Sequence, residues 1–113
     1  MGDFVKVART SEIPPGARKS VWVEGIRVLV LNIGGTYYAV DDSCPHRECS
    51  MEHAKLKGTT IICPCHLAQF DLETGEVLAE PVEFPPTGPL PVHQAKTEGL
   101  DILVALTTDF DSI

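Results

Sequence analysis

Apolar and polar residues alternate along much of this chain with the period of two that half-buried strands require, and turn-forming residues cut the alternation into short runs. Phe4 to Ala8 alternates weakly, and Ser11-Glu12-Ile13-Pro14-Pro15-Gly16 reads as a turn, because its two prolines remove donors and fix φ. Ser20 to Leu31 is rich in Val and Ile and carries Trp22, with Glu24-Gly25 as a hairpin turn. Asn32-Ile33-Gly34-Gly35 precedes Thr36-Tyr37-Tyr38-Ala39-Val40, and the glycine pair supplies the positive φ of a tight two-residue hairpin. The pattern predicts an antiparallel meander in which Trp22 packs into the core and one of Tyr37 and Tyr38 faces in while the other faces out.

Asp41 to Leu56 has no steady period and reads as a loop, with a helical turn around Ser50 to Ala54 as the alternative. Lys57-Gly58 is a turn, Thr59 to Ile62 a strand that delivers Cys63, and Pro64 to Gln69 a second loop leading into Phe70-Asp71-Leu72. Glu73-Thr74-Gly75-Glu76 is a further turn. Pro81, Pro85, Pro86, Pro89 and Pro91 make a stiff crossing. Leu90 to Ala95 and Leu100 to Leu106 then flank Lys96-Thr97-Glu98-Gly99 as a terminal hairpin. One all-β domain over 1–113 is expected: a β base from 1–41 and 81–106, an insertion at about 42–80 made mainly of loops, and a polar tail at 107–113. A loop-dominated insertion of that length calls for a site or disorder.

Composition adds limits. With 113 residues, 43% hydrophobic and 22% charged, the chain is an ordinary globular domain. Its net charge of −7 argues against nucleic acid or an anionic membrane as partner. Asp71, Glu73, Glu76, Glu80 and Glu83 fall in a stretch without Lys or Arg, which reads as a solvated face or as docking ground for a basic partner. The amino terminus has no apolar h-region and no run is long enough for a membrane span, so a soluble, cytoplasmic protein is expected. No Ser/His/Asp arrangement and no glycine-rich phosphate loop is visible.

The chemistry lies in the insertion. Cys44-Pro45-His46 is followed after sixteen residues by Cys63-Pro64-Cys65-His66. Each half offers a thiolate and an imidazole close enough to face one centre, and composition alone allows tetrahedral zinc as well as iron.

The arrangement C-x-H then C-x-x-H resembles the Rieske family, and Phe70-Asp71 with Thr74-Gly75 is similar to that family's usual continuation. The resemblance implies an antiparallel β-sandwich base with an inserted, loop-rich cluster-binding subdomain. It implies a [2Fe–2S] cluster with Cys44 and Cys63 on the inner iron and His46 and His66 on the outer iron. His53 matches neither half and is not expected to be a ligand. Cys49 and Cys65 are left over, and C-x-H-x-x-C with C-P-C-H resembles the Rieske proteins of cytochrome bc complexes, which implies a Cys49–Cys65 disulfide. Disulfides inside cells are commoner in hyperthermophiles. The few amides (Asn32, Gln69, Gln94) and many prolines lean the same way.

The chain departs from the bc-type pattern Gly-Ser-x-Tyr after the second histidine, with Leu67-Ala68-Gln69-Phe70 in its place. Ala68 and Phe70 carry no hydroxyl to donate towards the cluster sulfurs, so a lower potential than the respiratory type is expected. Leu67 stands where glycine is usual and needs a backbone compatible with its Cβ. The function so implied is a one-electron carrier, not catalytic alone, that passes electrons from a reductase to an oxygenase or another terminal acceptor. The alternatives are a small non-catalytic subunit of a larger oxidoreductase and a zinc-stabilised binding module.

Overall fold

The structure, a computed structural model, describes residues 3–44, 49–65, 67–83 and 86–107. Among the described residues ten strands form two antiparallel sheets. The larger runs in the order β1-β10-β9-β4-β3-β2, from β1 (Val5–Arg9), β2 (Arg18–Val23), β3 (Ile26–Ile33), β4 (Thr36–Asp41), β9 (Val92–Glu98) and β10 (Asp101–Ala105). Its edge strands β1 and β2 approach one another, so the sheet curls towards closure. The smaller sheet runs β5-β6-β7-β8, from β5 (Lys55–Lys57), β6 (Thr60–Ile62), β7 (Gln69–Asp71) and β8 (Val77–Ala79). Among the described residues no helix is long and apolar enough to cross a membrane.

The turn chemistry sets the meander. Glu24 and Gly25, at φ +50° and +83°, join β2 to β3, and Gly34 and Gly35, at +63° and +96°, join β3 to β4. Positive φ at both central residues gives the turn twist that matches paired strands. The terminal hairpin turns two residues later than its polar run suggests: Glu98 pairs with Asp101, leaving Gly99-Leu100 at the tip. Ser50 to Ala54 holds a turn and no helix. Thr107, the first residue of the expected tail, donates its N–H to His93 Nδ1 at 3.2 Å and its hydroxyl to the Val92 carbonyl. Residues 108–113 lie outside the described residues.

Two cores share the larger sheet. Inside the curl lie Ala8, Ile13, Val21, Val23, Val28, Val30, Ala39, Ile102, Val104 and Leu106. On the other face Leu29, Leu31 and Val40 meet Met51, Ile61, Phe70, Leu72 and Leu90 beneath the smaller sheet. Both faces of β3 are therefore buried from Val28 to Leu31. Tyr37 packs on the first core and Tyr38 on the second, both half-buried, so the expected outward ring is also covered. Trp22 contradicts expectation: it is 71% exposed. Val21 and Val23 take the inward positions of β2, period two sends Trp22 to the other face, and the second core includes no β2 residue to cover it there.

Candidate metal centre

Two loops rise from the second core, and each begins at a buried cysteine. The first leaves β4 at Asp42 and is closed at its base by a short ladder. Met51 donates its N–H to the Asp42 carbonyl at 3.0 Å, Ser43 bridges to Ser50, and the Cys44 N–H donates to the Cys49 carbonyl at 2.9 Å. The second leaves β6 at Cys63. Cys63 donates its N–H to the Ala68 carbonyl at 2.8 Å, and Leu67 donates to the Cys63 carbonyl at 3.0 Å, so the chain turns back within four residues. Leu67 makes that turn at φ +63° with its side chain 55% exposed. A non-glycine residue rarely takes this conformation, which explains why glycine suits the position.

Asp42 fixes the base of the first loop. Its carboxylate is buried and lies 2.8 Å from Arg27 Nε, while the hydroxyls of Ser20 and Ser50 donate to it at 3.2 and 3.3 Å and the Met51 N–H donates at 3.2 Å. Arg18 reaches across from β2 to the carbonyl of Ala54 at 2.6 Å. Burial of a carboxylate is tolerated when it is paired and fully hydrogen-bonded, as here. The sequence carries no signal for this residue beyond an acid two positions before a cysteine.

The four cysteines divide into two pairs. Cys49 and Cys65 form a disulfide that joins one loop to the other, with Cα atoms 6.5 Å apart. Cys44 and Cys63 stay outside the bridge and are buried, 2% and 0% exposed, within the same apolar core. The sulfurs of Cys49, Cys63 and Cys65 lie within 4.8 Å of one another. His46 and His66, the two expected imidazole ligands, lie outside the described residues. His53, whose spacing matched neither half, is exposed and lines a cavity of about 300 Å³ with Lys55, Ile62, Cys63, Pro64 and Leu67.

The donor set fits an iron–sulfur group. Two cysteines kept out of a neighbouring disulfide, buried at the heads of two clamped loops, suit a soft metal that takes thiolates and stabilises their charge away from water. Ala68 and Phe70 are both fully buried in the core that holds Cys44 and Cys63.

Comparison with known proteins distinguishes iron–sulfur from zinc. Residues 3–95 match the family described as the Rieske [2Fe-2S] domain. The chain is 34% identical over 102 residues to the biphenyl dioxygenase ferredoxin subunit of Pseudomonas sp. (strain KKS102), covering 89% of this chain and 90% of that one. Its fold matches the ferredoxin of carbazole 1,9a-dioxygenase from Nocardioides aromaticivorans IC177 with a TM-score of 0.80, at 29% identity over 92% of this chain and 98% of that one. It also matches a chain in the complex of reduced oxygenase and oxidized ferredoxin in carbazole 1,9a-dioxygenase, with a TM-score of 0.75 and 31% identity over 90% and 92% of the two chains.

Proposed function

The chain belongs to the Rieske [2Fe-2S] domain family, and from that premise we propose that it carries single electrons from a reductase to a terminal oxygenase, with Cys44, His46, Cys63 and His66 as the cluster ligands. The observation that carries the reading is the placement of Cys44 and Cys63: two buried cysteines at the heads of two loops that the Cys49–Cys65 bridge holds together. When bound, a [2Fe–2S] cluster supplies reversible one-electron chemistry. The rest is done by the chain. Two thiolates and two neutral imidazoles contribute two negative charges where four thiolates would contribute four, so the protein opposes electron uptake less. The apolar core around Cys44 and Cys63 keeps water from the sulfurs, and a histidine that binds iron through one ring nitrogen would have the other with which to release or take a proton as the charge changes.

An oxygenase as acceptor is supported by the carbazole dioxygenase complex, in which the matched chain is found with an oxygenase. A reductase as donor follows from the same role, since a carrier that holds no substrate must be refilled by another protein. Like the ferredoxin subunits it is similar to, the chain transfers electrons and does not itself turn over a substrate.

The test is a reductive titration of the purified protein followed by visible absorption and electron paramagnetic resonance, with iron and sulfide assayed. One electron, two irons and two sulfides per chain are expected. Serine at position 44 or 63, or alanine at 46 or 66, should abolish or rearrange the signal. A colourless, zinc-containing protein would falsify the assignment.

A further inference from the structure

Among the described residues, the sulfur of Cys63 lies within 4.8 Å of both sulfurs of the Cys49–Cys65 disulfide. A cysteine sulfur beside a disulfide is the arrangement from which thiol–disulfide exchange proceeds, because the attacking sulfur needs only access to one sulfur of the bridge. We propose that the three sulfurs form a thiol–disulfide exchange site, in which Cys63, whenever it is not engaged by a metal, attacks Cys49 and moves the bridge onto itself.

The direction follows from exposure. Attack on the Cys49 sulfur expels that of Cys65, and attack on the Cys65 sulfur expels that of Cys49. Cys65 is exposed and Cys49 only half-buried, so the departing Cys65 sulfur is the better solvated and leaves more readily. The second route would also join Cys63 to Cys65 across the single residue Pro64. In the favoured step the Cys49–Cys65 bond breaks, a Cys49–Cys63 bond forms, and the proton given up by Cys63 ends on Cys65. Two electrons are shared in one S–S bond before and after, so no oxidant or reductant is consumed.

The exchange converts a cluster ligand into a bridge sulfur. A chain that has lost its metal then holds Cys63 in a form unable to bind iron until Cys65, or an external thiol, reverses the exchange. This consequence rests on the proposed ligand role of Cys63; the exchange itself does not. Engagement of Cys63 by a metal prevents the step, so the correct bridge and the loaded site protect one another.

Disulfide mapping tests it. The holoprotein and the same protein stripped of metal with a chelator under anaerobic conditions are incubated without added thiol, quenched, alkylated and digested with trypsin without reduction. Cys49 lies on the peptide 48–55, while Cys63 and Cys65 share 58–96, and fragmentation at Pro64 tells which of them carries the alkyl group. The holoprotein should show Cys49 joined to Cys65. The stripped protein should show Cys49 joined to Cys63 and Cys65 alkylated in the larger part of the chains, and Cys63→Ser should keep the original bridge after stripping. Persistence of Cys49–Cys65 with Cys63 alkylated overturns the proposal. So does a mixture in which Cys44 enters bridges as often as Cys63, since the fold would then not be directing the exchange. Iron retention in Cys63→Ser, measured separately, would remove the ligand assignment and leave the exchange standing.

Discussion

Gly75 and Leu90 meet backbone to backbone: the Leu90 N–H donates to the Gly75 carbonyl at 2.9 Å, and the Leu90 carbonyl stands where a side chain on residue 75 would begin. Gly75 also sits at φ +81° in the turn between β7 and β8, with its N–H donated to the Asp71 carbonyl. The contact ties the smaller sheet to the segment that enters β9. Gly75→Ala has to move backbone on both sides and take a left-handed conformation, so we expect a loss of about 3 kcal/mol or more of stability. Urea unfolding of the two proteins measures it, and a loss below about 1 kcal/mol would show that the junction yields.

Leu67 presents the opposite case. It holds a positive φ with a Cβ, which costs roughly 1–2 kcal/mol, and its exposed side chain recovers little of that by packing. Leu67→Gly should therefore be neutral or stabilising by up to about 1 kcal/mol after the added flexibility of the unfolded chain is counted. A clear loss of thermal stability would mean that the leucine packs more usefully than its exposure suggests.

Ala68 and Phe70 set an expectation for the redox potential. Hydroxyls at these two positions, introduced as Ala68→Ser with Phe70→Tyr, should donate towards the sulfurs and favour the reduced, more negative state. A donor worth about 1.4 kcal/mol corresponds to about 60 mV for one electron, so the double variant should rise by at least that amount. An unchanged or lower midpoint in protein-film voltammetry would refute this view of the missing donors.

Asp42 holds the first loop through four partners, one of them a half-exposed arginine. Asp42→Ala takes the acceptor from the Ser20 and Ser50 hydroxyls and the partner from Arg27, while the Met51 N–H keeps the carbonyl of residue 42, and about 2–4 kcal/mol should be lost. Because Ser50 and Met51 close the ladder that ends at Cys44, iron should also be released faster to a chelator. Destabilisation with unchanged iron release would separate the loop base from the site.

Glu12 gives a pH dependence far along the chain from the loops. The Lys19 ammonium, 2.5 Å away, and the Arg9 N–H at 2.9 Å hold its carboxyl below the ordinary 4.5. A depressed folded value means that the contribution is present above about 4.5 and is lost as pH falls through the folded value. The Glu12 carboxyl carbon, followed by NMR, should titrate below 4.5 and move up in Lys19→Ala. Identical midpoints in the two proteins would show that the pair is not formed in solution.

Much of the base was legible because its signals are local. Glu24-Gly25 and Gly34-Gly35 specify their turns by backbone conformation alone, and the strands they join are long enough for period two to be read. Strands β5 and β8 were not legible: three residues carry no period, and Lys55-Leu56-Lys57 gains its strand character only by pairing with β6. Trp22 was misplaced for a related reason. Its alternation was correct, but which face a second sheet covers is a tertiary fact. At the site the two expected histidines lie outside the described residues, while the cysteines were legible as a spacing and the bridge came with the family resemblance. Asp42 was not, since burial of a carboxylate depends on Arg27, Ser20 and Ser50 arriving from other parts of the chain.

The alternation on β3 makes that strand a partition. Val28 and Val30 belong to one core, Leu29 and Leu31 to the other, and only the second also contains Cys44 and Cys63. Adjacent residues on a single strand thus answer to different demands. Shortening a side chain on the valine side leaves its cavity in the core without cysteines, while shortening one on the leucine side opens the core that also holds Cys44 and Cys63.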